Sequence, residues 1–158
     1  MSERRLPRLK TVVLWGLAAL FVVALTIQAI PYGHDHSNPP VRQEPAWDSQ
    51  QTRDLAVSAC FDCHSNQTRW PWYSNVAPAS WLIQRDVEEG RQRMNFSEWD
   101  RPQPGAEEAV EAVQEGGMPP SQYRLLHPGA RLSSTERQTL IQGLEATLGP
   151  GLGGNTGQ

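Results

Sequence analysis

Cysteine is nearly absent from this 158-residue chain: there are two, Cys60 and Cys63, three residues apart. Neither a disulfide framework nor a spare thiol is therefore available elsewhere. No convincing strand pattern precedes Cys60, which argues against the strand–helix setting of a thioredoxin-like redox pair. A zinc site needs four ligands, so Cys60, Cys63 and His64 would require His34, His36 or His127 as the fourth. Basic charge is scarce beyond the first thirty residues. Residues 31–158 hold 10 Lys+Arg against 16 Asp+Glu, a formal charge of −6. A domain so acidic is a poor nucleic-acid binder, although a basic redox partner is compatible with it. Internal repeats are also absent, which excludes a solenoid.

Long apolar runs are limited to one, residues 11–30, broken only by Thr26 and Gln28 near its end. As a helix it would span about 30 Å, the thickness of a bilayer core. Arg4, Arg5, Arg8 and Lys10 precede it and only Glu3 opposes them, so residues 1–10 are expected in the cytoplasm and the remainder across the membrane. The rival is a cleaved signal peptide. The run is long for one, and Ile27-Gln28-Ala29 makes a poor cleavage site. An uncleaved single-pass anchor in a bacterial inner membrane is the expectation, with the periplasm receiving the rest.

Against that background Cys60-Phe61-Asp62-Cys63-His64 gains weight as the attachment signature of a c-type haem. Two thiols at this spacing can each add to a vinyl group of one porphyrin. The histidine directly after the second thiol is placed to bind the iron, provided that its imidazole is neutral.

Residues 31–46 carry Pro31, Gly33, Pro39, Pro40 and Pro45 and are expected to be a linker. His34 and His36 read there as solvated polar residues. A first helix is expected over 48–59, capped by Asp48 with Gln51 as its capping-box partner. A second is expected over 79–93 with Trp81, Leu82, Val87 and Met94 buried, and a third from Gly105 and Ala106 to about Glu115, stopped by Gly116 and Gly117. The last spans 134–148, with a Ser133–Glu136 capping box and an inner stripe of Leu140, Ile141 and Leu144. Residues 47–148 form a small all-α domain, cytochrome c-like, after the N-terminal transmembrane helix. A Gly-rich tail, 149–158, is expected to be disordered.

A second iron ligand is sought on the opposite side. Met118 lies in Gly116-Gly117-Met118-Pro119-Pro120, where glycines permit close approach and prolines stiffen the loop. A thioether there would raise the reduction potential and close the iron to exogenous ligands. His127, in Leu125-Leu126-His127-Pro128, is the alternative ligand, and Met94 reads as packing. The order of motif, helices, rigid methionine loop and last helix is that of small class I cytochromes c.

The strings CFDCHSNQTRWPWYSNVAPASWL, DVEEGRQRMNFSEW and GGMPPSQYRLLHPGARLS together resemble the bacterial haem-binding domain family, over about residues 31–148. These are small c-type cytochrome-like proteins, often with one N-terminal anchor. The resemblance implies covalent haem c at Cys60 and Cys63 with His64 as axial ligand. Trp70, Trp72, Tyr73 and Trp81 can wall one side of the haem, and Arg69 and Arg91 can neutralise its propionates. The same tryptophans would serve equally as core. The expected function is electron carriage at the periplasmic face of the inner membrane, with redox proteins as partners, rather than catalysis. Two alternatives are a haem enzyme or small-ligand sensor, using His127 and Tyr123 in a distal pocket, and a haem subunit of a larger oxidoreductase.

Overall fold

The computed structural model describes residues 5–149, with side chains from residue 9. Most of the N-terminal segment 1–10 and of the tail 149–158 therefore falls outside the described residues or lacks described side chains. Seven α-helices follow in order: α1 (Arg5–Ile27), α2 (Gln50–Ala59), α3 (Phe61–His64), α4 (Ala79–Arg93), α5 (Ala106–Gln114), α6 (Ser121–Leu126) and α7 (Ser134–Leu148). Two 3₁₀ turns, Trp72–Asn75 and Pro128–Ala130, complete the set. Among the described residues the only β feature is an isolated bridge between Gln43 and Glu98. The fold is all-α, as expected.

The chain divides into two compact units: residues 1–35 with 71–85, and residues 36–70 with 86–158. In the first, the stretch Leu9–Ile27 of α1 is long and apolar enough to cross a membrane, and its large apolar side chains from Leu9 to Leu25 are exposed. The helix ends three residues before the apolar run does. Gln28 explains the stop: its amide donates to the Ala77 carbonyl (3.1 Å) and accepts from the Ala77 N–H (3.0 Å), fixing the chain where it leaves the helix. Gly33, at φ +92°, lies against Ser80 and Trp81, where a β-carbon would not fit.

The second unit holds the core. Phe61, Phe96, Leu140 and Leu144 are fully buried, and Trp47, Phe61, Phe96 and Trp99 run as a chain of ring contacts 5.1–6.2 Å apart. Burying each large side chain contributes about 2 kcal/mol. Helix α7 packs against α2 and α5. Its capping box and its buried Leu140, Ile141 and Leu144 match the sequence pattern. At the α2 contact Gly143 faces Thr52 so closely that a β-carbon would overlap the threonine side chain.

Three local expectations change. Helix α2 is capped by Ser49, whose hydroxyl accepts from the Thr52 N–H, not by Asp48. Asp48 instead bonds Thr147 of α7. Leu82 is 61% exposed, because the inward positions of α4 are Ser80, Gln84, Val87 and Met94 beyond its end, a stripe offset from the apolar residues. The Pro-rich stretch is not loose along its length. Asn38 exchanges bonds with Thr68, the Pro40 carbonyl accepts from Asn66, and the Arg42 and Gln43 N–H groups donate to the Ser97 carbonyl. Proline removes donors from the backbone but leaves its carbonyls free to anchor.

Candidate haem site

The motif is a tight turn wound onto the end of α2. Cys60 closes α2 by donating its N–H to the Ala56 carbonyl, and its own carbonyl accepts from both Cys63 (3.1 Å) and His64 (2.9 Å). Cys60 thus stands at the junction of α2 and α3, and Cys63 and His64 on the single turn of α3. Gly90 of α4 sits against the Cys63 carbonyl, and any larger residue there would strike the backbone. Phe61 enters the core from between the cysteines.

His64 is held in one tautomer. Its Nδ1 lies 3.1 Å from the Met94 carbonyl, which can only accept, so Nδ1 carries the proton and Nε2 the lone pair. Burial pushes its pKa down, against the smaller opposing effect of the Met94 and Gly90 carbonyls, which keeps the ring neutral. The two cysteines are free thiols. Burial raises Cys60 to about 12, with Cys63 adding to it. Burial likewise raises Cys63 to about 12, helped by the Asp86 and Asp62 carboxylates.

These three side chains line a cavity of about 370 Å³, within the range of small-molecule and cofactor pockets. Its walls are mostly apolar: Met94 and Phe96 after α4, Ala109 and Val113 of α5, and Leu144 of α7. Met118 lines it as well, on a loop set by the left-handed Gly116 (φ +78°) and by a bond from the Met118 N–H to the Ala112 carbonyl (2.9 Å). The cavity thus brings together two thiols, a neutral imidazole with a free ring nitrogen, and a thioether. That donor set, in an apolar setting, fits a haem.

Tyr123 of α6 also lines the cavity, and its hydroxyl donates to Asp62 at 2.6 Å. Asp62, buried between the two cysteines, is a hub. It also accepts from the Arg69 N–H (3.0 Å) and from the Arg69 guanidinium (3.1 Å). Burial and the Asp62 carboxylate push the Tyr123 hydroxyl well above its ordinary pKa, so it remains a donor. Through this bond the motif is tied to the helix that follows the methionine loop. Asp62→Ala is expected to destabilise the protein by about 1–3 kcal/mol, since it removes the shared acceptor of the half-buried Tyr123 hydroxyl and of Arg69. Tyr123→Phe is expected to cost about 1 kcal/mol. Urea unfolding of the two variants measures both, and equal midpoints to the wild type would refute the role.

Other candidates are placed elsewhere. Arg69 is committed to Asp62, and Arg91 donates to the Ser65 and Ser37 carbonyls, Asn38 and Thr68; neither lines the cavity. The cation that does is Arg93, 3.4 Å from Glu108, another lining residue. Trp70 is stacked on His36 (4.5 Å, 18°), so His36 is a packing residue and not a solvated one. Trp72, Tyr73 and Trp81 belong to the other unit, where Trp72 and Tyr73 meet edge to face. His127 stacks on Tyr123 (4.0 Å), directs Nδ1 at the Tyr123 carbonyl, and is not among the cavity-lining residues. Met94 lines the cavity, but its distinctive contribution is the carbonyl that orients His64. In the sequence Asp62 stands only as a spacer of the motif. Its one sequence signal is a carboxylate directly beside a buried phenylalanine.

The profile of the haem-binding domain family matches residues 22–146. No curated protein and no solved structure matches the chain. With a match over most of its length, and a cavity whose donors suit the cofactor, the chain belongs to the haem-binding domain family.

Proposed function

We propose that this protein is a membrane-anchored c-type monohaem cytochrome that carries single electrons on the periplasmic face of the bacterial inner membrane. The observation that carries the reading is the convergence of Cys60, Cys63, His64 and Met118 on one apolar cavity. Haem bound there supplies one-electron chemistry at its iron. Cys60 and Cys63, which both line that cavity, would hold it through thioether links. His64 presents a neutral ring nitrogen whose orientation the Met94 carbonyl fixes in advance. Met118 supplies a soft ligand that favours the reduced state. Two strong protein ligands leave no open position, which favours carriage over catalysis or gas sensing, and His127 is stacked on Tyr123 outside the cavity lining. Helix α1 supports tethering, since it is long and apolar enough to cross a bilayer.

Absorption and magnetic circular dichroism spectra of the full-length protein, expressed in a host competent for cytochrome maturation, test the proposal. A low-spin ferric haem with a methionine–iron charge-transfer band is expected. A five-coordinate, high-spin haem that binds carbon monoxide rapidly when reduced would overturn it in favour of an enzyme or sensor.

A further inference from the structure

We propose that the outer side of the Met118 loop is a docking surface for an acidic protein partner, one that presents carboxylates around an apolar centre. This deepens the proposed electron carriage and rests on it. Met118 lines two cavities at once: the one holding the motif, and a second groove of about 370 Å³. Val113, Pro119, Leu125, Ala130 and Leu132 supply the rest of that groove's apolar lining. Met118 is 39% exposed and Leu125 is 69% exposed, so the apolar surface reaches solvent. A partner seated here would touch the same thioether that lines the haem cavity.

Charge identifies the partner. Three arginines, Arg124, Arg131 and Arg137, line the groove. Elsewhere in the same unit Arg42, Arg53, Arg69, Arg93 and Arg101 are each paired with a carboxylate. The groove arginines are not. The Arg131 guanidinium donates to the Arg124 and Leu125 carbonyls, that of Arg137 to the Val113 and Gln114 carbonyls, and that of Arg124 to no group among the described residues. Backbone carbonyls hold a guanidinium in place without cancelling its charge. From Gly116 to Thr135 the sequence contains no Asp or Glu, within a region whose formal charge is −6. An electropositive face on an otherwise acidic body orients an incoming acidic partner, and the apolar groove between the charges supplies the desolvated contact. The concavity favours a protein with a protruding side chain over a flat anionic bilayer.

The test uses the full-length protein in neutral detergent micelles and a fluorescein-labelled peptide in which glutamates flank a single phenylalanine, read by fluorescence anisotropy. Binding at low ionic strength is expected, weakening steeply with added salt. Arg124→Glu and Leu125→Ser should each weaken it about tenfold, while Arg42→Glu, at a neutralised pair, should leave it unchanged. Both test positions are exposed or unbonded, so the fold should survive. Absence of peptide binding, or equal binding by wild type and Arg124→Glu, would overturn the proposal. Binding to phosphatidylglycerol vesicles through the same residues without peptide binding would also overturn it, and would assign the face to lipid. Haem staining of the same preparation reports on the proposed function separately: peptide binding by a preparation without haem would keep the surface and remove the carrier.

Discussion

Replacing both Cys60 and Cys63 by alanine is expected to abolish haem retention on a denaturing gel. Replacing either alone should leave a weakened band, because one thioether link would remain. The expectation rests on the two thiols being fixed on one turn by the Cys60 carbonyl, on both lining the same cavity, and on the absence of any other cysteine. Cys60 packs only at the margin of the core and Cys63 is not part of it, so folding should survive, and noncovalent haem held by His64 should still be visible before denaturation. Mass spectrometry of the mature wild type should show one tetrapyrrole per chain. Unaltered staining in the double variant would remove covalent attachment from the picture.

Met118→Ala carries the second large effect. The charge-transfer band should vanish, the ferric iron should move toward high spin, and carbon monoxide should bind the ferrous form. The potential should fall, within the roughly 0.8 V over which axial ligands tune haem. Stability should hardly change, by under about 1 kcal/mol, because a partly exposed loop side chain contributes little packing. This separates loss of a ligand from loss of fold. Met118→His should restore a low-spin spectrum at a lower potential, since imidazole favours ferric iron more than a thioether does. An unchanged ferric spectrum in Met118→Ala would refute the assignment, and His127→Ala would then become the informative variant.

Helices with strong local signals were legible in the sequence: α4, α5 and α7 begin and end close to where their caps and glycines indicate. The motif and the methionine loop were legible too, and the fold brings both to one cavity. What stayed hidden depends on side chains distant in sequence. Asp48 looks like a cap until Thr147 arrives to bond it and Ser49 takes the role. Arg69 and Arg91 look available for an anionic ligand until Asp62 and the loop carbonyls engage them. The tryptophan cluster around residue 70 looks like one wall because it is contiguous in sequence, yet its members fall in two units. Short helices such as α3 and α6 have too few residues to show a period.

The two spacer residues of the motif have duties of opposite kind. Phe61 is a foundation stone of the hydrophobic interior, and Asp62 moors a tyrosine and an arginine from beyond the motif. The pentapeptide is therefore not a portable cassette. Transplanting it into another helical scaffold would carry a bulky ring and a hungry carboxylate into surroundings that lack their counterparts. In this chain, the same two residues make correct folding of the interior a precondition for presenting the sulfurs side by side.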